Sequence, residues 1–244
     1  MKIALIQLNA EDKEWQPKLI ETLIDKLRDV NLIVFPEYFP FDISTSLHVA
    51  VTQIARASRN SGNAAVIAGG LVSVAGRDRN TALLAHQGQI KGEYFKRRLW
   101  HEDEVVSGTN GVKFEWENFG CIPLICADAA DTESPGIGKS FKEAIALGAG
   151  ATCPIIVPSY GAWLNEAYWQ KPLQDWSNSC QAPVLICGVS GKGQSFVDYD
   201  GRSGNYGGGG SGVFWPDGNS PIQRKLRGAH IVDLNSRSIE TRSI

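Results

Sequence analysis

Three short apolar runs in this 244-residue chain each end on residues that can do chemistry. They are Leu32-Ile33-Val34-Phe35-Pro36-Glu37, Gly92-Glu93-Tyr94-Phe95-Lys96 and Ile122-Pro123-Leu124-Ile125-Cys126-Ala127-Asp128. Strand ends in a layered α/β domain converge at one edge of the sheet, so a carboxylate, an amine and a thiol from distant sequence can meet there. An unperturbed thiol is only a few per cent thiolate at neutral pH, so a nucleophilic Cys126 needs a base or a cation beside it. Glu37 and Lys96 are of those two types, and together the three residues outline a Cys-Glu-Lys hydrolase site. Singly they have plainer readings: a solvated loop acid, a surface charge beside Arg97 and Arg98, an inert core thiol.

Other candidate chemistries fail on spacing. Gly138-Lys139-Ser140 resembles the end of a phosphate loop, but Glu133 stands where the pattern needs a glycine. Gly207, Gly209 and Gly212 satisfy G-x-G-x-x-G, yet a strand-like Val-Phe-Trp follows in place of a helix. The histidines His48, His86, His101 and His230 lack metal-ligand spacing and no C-x-x-C occurs, so no metal is expected. Ser190 and Ser211 each lack one glycine of the serine-hydrolase elbow.

The elements that must position the three residues alternate between short apolar runs and amphipathic stretches. Strands are expected at 2–8, 32–35 and 64–68, the last ended by Gly69-Gly70. A helix is expected over 14–27, with acids early and Lys26 and Arg28 late as the helix dipole favours, and another over 46–60 with Ser46 as its cap. Further on, the expectation is a strand pair 81–85 and 90–95 about a Gln-Gly turn, strands at 119–125, 152–157, 184–187, 212–215 and 230–234, and helices at 140–147 and 162–179. No linker or repeat divides the chain, so one domain spanning 1–244 is expected.

Composition narrows the class. Lys plus Arg is 24 against 26 for Asp plus Glu, a net charge of -2 without long runs of either sign, which argues against a nucleic-acid partner. Five scattered cysteines read as reduced thiols, with Cys121, Cys153, Cys180 and Cys187 assigned to packing. Gln7, Glu11 and Asp12 cut short the apolar N-terminus, and nowhere does an apolar run reach the ~18 residues of a membrane span; a cytoplasmic address is expected.

At these residues the sequence resembles the nitrilase superfamily of carbon–nitrogen hydrolases along essentially its whole length. Phe35-Pro36-Glu37 is similar to the first catalytic motif, Asn80-Thr81-Ala82 leading to Lys96 to the second, and Leu124-Ile125-Cys126-Ala127-Asp128 to the third. Val157-Pro158-Ser159, a Trp-rich stretch and Gly210-Ser211-Gly212-Val213 follow in the expected order. The resemblance implies a four-layer α-β-β-α sandwich, commonly dimeric, that cleaves a non-peptide carbon–nitrogen bond, in a small amide above all, without a cofactor; the alternatives are a nitrile, N-carbamoyl or ω-amide hydrolase, a thioester acyltransferase, or an inactive homologue that serves as a binding partner. It implies Cys126 as nucleophile, Glu37 as general base, and Lys96 with the Ala127 N–H as oxyanion donors. Glu104, ahead of Gly108, falls where amidases of the family carry a second glutamate. Trp100, Tyr160 and Trp163 are candidates for a pocket wall, with core packing as the alternative, and Asp128 is expected to be a buried acid paired with an arginine. Ala127, the segment 130–135 and Gly210 depart from the usual pattern around nucleophile and pocket, so no subfamily's substrate carries over. The chain ends soon after its last strand, which favours an amidase over a filament-forming nitrilase.

Overall fold

Lys2–Gln7, the first strand (β1), is buried on both faces, and its side chains divide strictly between two cores. Ile3 and Leu5 enter one, Ala4 and Ile6 the other. That period of two recurs in β2 (Leu32–Val34), where Leu32 and Val34 oppose Ile33. It explains why these runs are continuously apolar: a sheet covered on both faces has no polar side. The computed structural model describes residues 1–9, 17–99, 105–129, 139–160, 167–190, 194–197, 203–206, 210–218, 222–224 and 227–244.

Between and after these strands come helix α1 (Pro17–Asp25), β3 (Pro40–Ser46), α2 (Leu47–Ser58), β4 (Ala65–Val74), β5 (Arg77–His86) and β6 (Gln89–Phe95). Then follow β7 (Phe114–Trp116), β8 (Phe119–Pro123), a 3-10 turn (Cys126–Asp128), α3 (Lys139–Ala146), β9 (Ile155–Pro158), α4 (Ala167–Cys180) and β10 (Val184–Cys187). The chain closes with β11 (Gln194–Val197), β12 (Ser203–Tyr206), β13 (Ser211–Phe214), β14 (Ile222–Arg224), β15 (Gly228–Asp233) and β16 (Ser238–Arg242).

One sheet runs β16-β15-β1-β2-β4-β5-β6, with β3 also paired to β4, and a second runs β14-β13-β10-β9-β8-β7. Helices α1 and α2 share a core with one face of the first sheet, through Ile20, Ile24, Ala50 and Ile54. Leu173 and Trp176 of α4 and Ala144 of α3 join the core that contains the second sheet. The layers are therefore helix, sheet, sheet, helix. Polar links fasten the two sheets: Cys187 Sγ lies 3.1 Å from Val34 O and 3.4 Å from Ile6 O, and Ser190 N donates to Leu8 O at 2.8 Å. Among the described residues no helix is long and apolar enough to cross a membrane.

Strand direction sets where the chemistry gathers. β1, β2 and β4 are parallel, and two antiparallel steps through β5 return β6 to the same direction. In the second sheet β8, β9 and β10 are parallel. Glu37, Lys96, Cys126 and Ser159 therefore all follow the C-terminal ends of strands, where open α/β sheets form their crevices.

Several elements differ from expectation. Gly69-Gly70 does not end β4, which runs through to Val74. A Cβ at Gly69 would stand 1.9 Å from Thr81 O, and one at Gly70 2.1 Å from Phe41 O, so the glycines let β5 and β3 approach. Helix α1 stops at Asp25, short of Lys26 and Arg28, so its last turn lacks the expected basic charge, and the expected start over 14–16 lies outside the described residues. The strand expected over 119–125 stops at Pro123 because the chain turns into the 3-10 segment. Ser46 does cap α2, accepting from Val49 N at 3.3 Å, and the Gln87-Gly88 turn has both residues at positive φ. Strands β3, β7, β11, β12, β14 and β16 were not anticipated, being short, polar or glycine-rich.

Replacing Gly69 by Ala should lower the unfolding free energy by more than about 2 kcal/mol, because the clash is with backbone. Gly76→Ala, at positive φ with nothing within 4 Å of the new Cβ, should cost only about 1 kcal/mol. Urea unfolding of the two variants compares them, and equal losses would contradict the close-approach argument.

Candidate active site

Glu37 sits in a tight turn after β2 whose shape is set by apolar contacts. Phe35 N donates to Ile67 O at 2.9 Å, Gly69 N to Phe39 O at 2.8 Å, and the Phe35 and Phe39 rings stack with centroids 4.9 Å apart. The loop between them is thus pinned at both ends, and Glu37 is only 4% exposed. A carboxylate this deep needs donors. Lys96 Nζ and Asn80 Nδ2 each donate to Oε1 at 2.8 Å, and Tyr160 N donates to Oε2 at 2.9 Å.

Lys96 leaves the end of β6 and is 2% exposed. Its backbone N–H donates to Asn80 O at 2.8 Å, and its carbonyl accepts from Gly108 N at 2.7 Å. Asn80 therefore holds the lysine through its backbone and the glutamate through its side chain. Two ions at this depth cost several kcal/mol each to desolvate, and the extra donors offset part of that cost.

Cys126 begins the 3-10 turn after β8, with φ of 43°, a left-handed conformation that costs a non-glycine residue roughly 1–3 kcal/mol. Such strain at a strand end lifts a side chain away from the sheet. The turn is closed by Asp128 N donating to Ile125 O and Ala129 N to Cys126 O, both at 2.9 Å. Ser159 Oγ lies 3.3 Å from Cys126 Sγ, placed to donate to a thiolate. Ser159 and Tyr160 are consecutive, so the end of β9 contacts the sulfur with one residue and Glu37 with the next.

Of the residues expected from sequence, the structure joins Glu37 directly to Lys96, and links Cys126 to Glu37 through Ser159 and Tyr160. Ala127 follows the sulfur in the turn and is buried. Tyr160 contributes its backbone N–H, and its ring meets that of Tyr38 edge-on with centroids 6.0 Å apart. Glu104, Trp100 and Trp163 lie outside the described residues, as does the segment 130–135.

The expectation that Asp128 pairs with an arginine side chain is corrected. Its carboxylate accepts from the backbone N–H groups of Arg97 and Arg98 and from the Tyr94 hydroxyl, while the Arg97 guanidinium goes to Glu143 and Ser140. Asn80 and Ser159 were overlooked as site residues. The available signal for the first was its place in β5 where the charged Arg77-Asp78-Arg79 gives way to the apolar Ala82-Leu83-Leu84-Ala85. Ser159 had only its place after an apolar run.

Comparison with known proteins adds the fold. No family model matches the sequence and no curated protein matches it. Among solved structures, a mutant of the amidase from Nesterenkonia sp. AN1, showing Michael addition of acrylamide at its active-site cysteine, is similar with a TM-score of 0.74 at 20% identity. That match covers 97% of this chain and 96% of the other. Another mutant of that amidase, in complex with butyramide, gives 0.70 at 21% identity over 97% and 94% of the two chains. A CN-hydrolase superfamily protein from Xanthomonas campestris with an arsenic adduct in its active site gives 0.66 at 17% identity, covering 95% and 89%. The chain has the fold of these nitrilase-superfamily proteins.

The buried pair can be tested by stability. Lys96→Met should lower the unfolding free energy by about 3 kcal/mol, because it strands the Glu37 charge. The double variant Glu37→Gln/Lys96→Met should regain more than half of that loss in urea unfolding. A double variant no more stable than the single one would contradict the pairing.

Proposed function

We propose that the chain is a carbon–nitrogen hydrolase of the amidase type, one domain over 1–244, that converts a small amide to an acid and ammonia or an amine through a thioester on Cys126. The observation that supports this most is the Glu37 carboxylate, held between the Lys96 ammonium and the Tyr160 N–H while the neighbouring Ser159 hydroxyl reaches the Cys126 sulfur. The fold shared with amidases adds to it.

In this reading Glu37 takes the thiol proton as Cys126 Sγ attacks the amide carbon. The oxyanion so formed accepts from Lys96 and from the Ala127 N–H, donors of a kind whose loss typically costs about a hundred- to a thousandfold in rate. Glu37 returns the proton to the nitrogen, the carbon–nitrogen bond breaks, and the thioester remains. Water then gives a proton to Glu37 and attacks the thioester carbon; the acid leaves and the thiol is reprotonated. Glu104 is assigned the positioning of Lys96 and the substrate amide, with Trp100 and Trp163 as pocket wall. No cofactor enters.

The other four thiols give an internal control. Burial raises all of them: Cys121 and Cys187 well above the usual range, Cys153 less, and Cys180 up to about 11. At pH 8 a thiol with that value is only about one part in a thousand thiolate. Iodoacetamide at pH 8 should therefore modify Cys126 first, read by peptide mass mapping, and equal slow rates at all five would contradict its activation. Cys126→Ala should lower ammonia release from a panel of short aliphatic amides at least about a thousandfold while the circular dichroism spectrum is unchanged. Release at the wild-type rate in that variant would overturn the assignment.

A further inference from the structure

One fully buried carboxylate has no part in that reaction. Asp128 stands two residues beyond Cys126, at the end of the 3-10 turn, and is 0% exposed. Its Oδ1 accepts from Arg98 N at 2.6 Å and from Arg97 N at 3.0 Å, and its Oδ2 from the Tyr94 hydroxyl at 2.6 Å and from Ile125 N at 3.3 Å. Burial nevertheless raises its pKa above the ordinary value, against the opposing pull of Tyr94, Arg98, Lys96 and Arg97. Arg97 and Arg98 directly follow Lys96, and Ile125 directly precedes Cys126. The acceptor oxygens of one side chain therefore hold the backbone beside the ammonium and the backbone beside the sulfur.

Besides the links through Glu37, Tyr160 and Ser159, the two segments belong to different sheets. Lys96 follows β6 of the first sheet and Cys126 follows β8 of the second, and these strands are not hydrogen-bonded neighbours. We propose that Asp128 is a positioning residue, a carboxylate clamp that sets the Cys126 sulfur against the Lys96 ammonium across the gap between the sheets. The assignment rests on the amidase reading for its rate effect, and on geometry alone for the clamp. Arg97 extends the clamp outward, since its guanidinium reaches Ser140 Oγ at 2.8 Å and Glu143 on α3. A misplacement of about 1 Å between reacting groups can cost on the order of a hundredfold in rate, so a clamp of this kind acts on turnover more than on substrate affinity.

The chemistry of the clamp makes asparagine a sharp probe. An amide keeps the shape but offers one acceptor oxygen, and it turns an NH2 group toward donors that need an acceptor. Asp128→Asn should lower kcat per folded site about tenfold or more with KM within about twofold, and should slow iodoacetamide alkylation of Cys126 about fivefold or more. A role in stability alone predicts a lower melting temperature with kcat per folded site and alkylation unchanged, and that result would overturn the proposal. So would a rise in KM at constant kcat. If Asp128→Asn does not fold, Tyr94→Phe decides by the same readings: a fall in kcat and alkylation of about threefold or more supports the clamp, and wild-type values for both reject it. Alkylation needs no substrate. A wild-type protein that hydrolyses no amide would therefore overturn the amidase reading and still leave the alkylation ratio to judge Asp128.

Discussion

The Glu37 to Lys96 ion pair is the constraint around which the rest of this molecule is arranged. Both residues are nearly inaccessible to solvent and their charged atoms are 2.8 Å apart. Burying two charges in a protein interior is unfavourable unless the geometry is close and the remaining lone pairs find donors. The donors here come from β5 in the same sheet and from the end of β9 in the other. A pair satisfied in that way forms only when two sheets have already been brought face to face, so the apolar alternation of β1, β2, β4 and β5 is a precondition for the charges as well as for the core. The two apolar cores of the sandwich supply the free energy that offsets the burial of the pair.

The same dependence explains which parts of the molecule were legible in the sequence. Period-two alternation and uninterrupted apolar runs announced β1, β2 and β10, and Ser46 announced the start of α2, because those signals are local. Glu37, Lys96 and Cys126 stood out because each interrupts apolar texture at a strand end. Asn80, Ser159 and the Tyr160 N–H did not, since their importance lies in partners 43, 33 and 123 residues away. Gly69-Gly70 misled for a related reason. Glycine marks a turn in local statistics, whereas here it marks a place where the Thr81 and Phe41 carbonyls come too near for a side chain. The arginine partner expected for Asp128 was correct as to residue and wrong as to group, because backbone N–H groups carry no signature in the sequence.

Five buried cysteines share a residue type and differ in setting. Four lie in places where burial holds the proton on sulfur, and Cys187 goes further, its thiol lying within reach of carbonyls of the opposite sheet. Cys126 alone combines a left-handed backbone, the start of a 3-10 turn and a hydroxyl beside its sulfur. Strain of that order is tolerated where surrounding bonds over-determine the conformation. The turn is held by its own two backbone bonds and by the Asp128 carboxylate, which reaches both Ile125 and the chain beyond Lys96.

The placement of Lys96 also resolves a difficulty in the proposed reaction. An ammonium already held 2.8 Å from the Glu37 carboxylate is at first sight committed to that partner and not to an oxyanion. The consequence reverses as the reaction proceeds. In the proposed step Glu37 loses its charge on accepting the thiol proton, and its attraction for the ammonium 2.8 Å away falls at the moment the carbonyl oxygen becomes anionic. Asn80 and the Tyr160 N–H keep the glutamate in place through that change, because both contact its oxygens independently of the lysine. The attraction that holds the resting pair is thus transferred to the oxyanion without a side chain having to move far. This is the circumstance in which preorganised charge contributes most to rate.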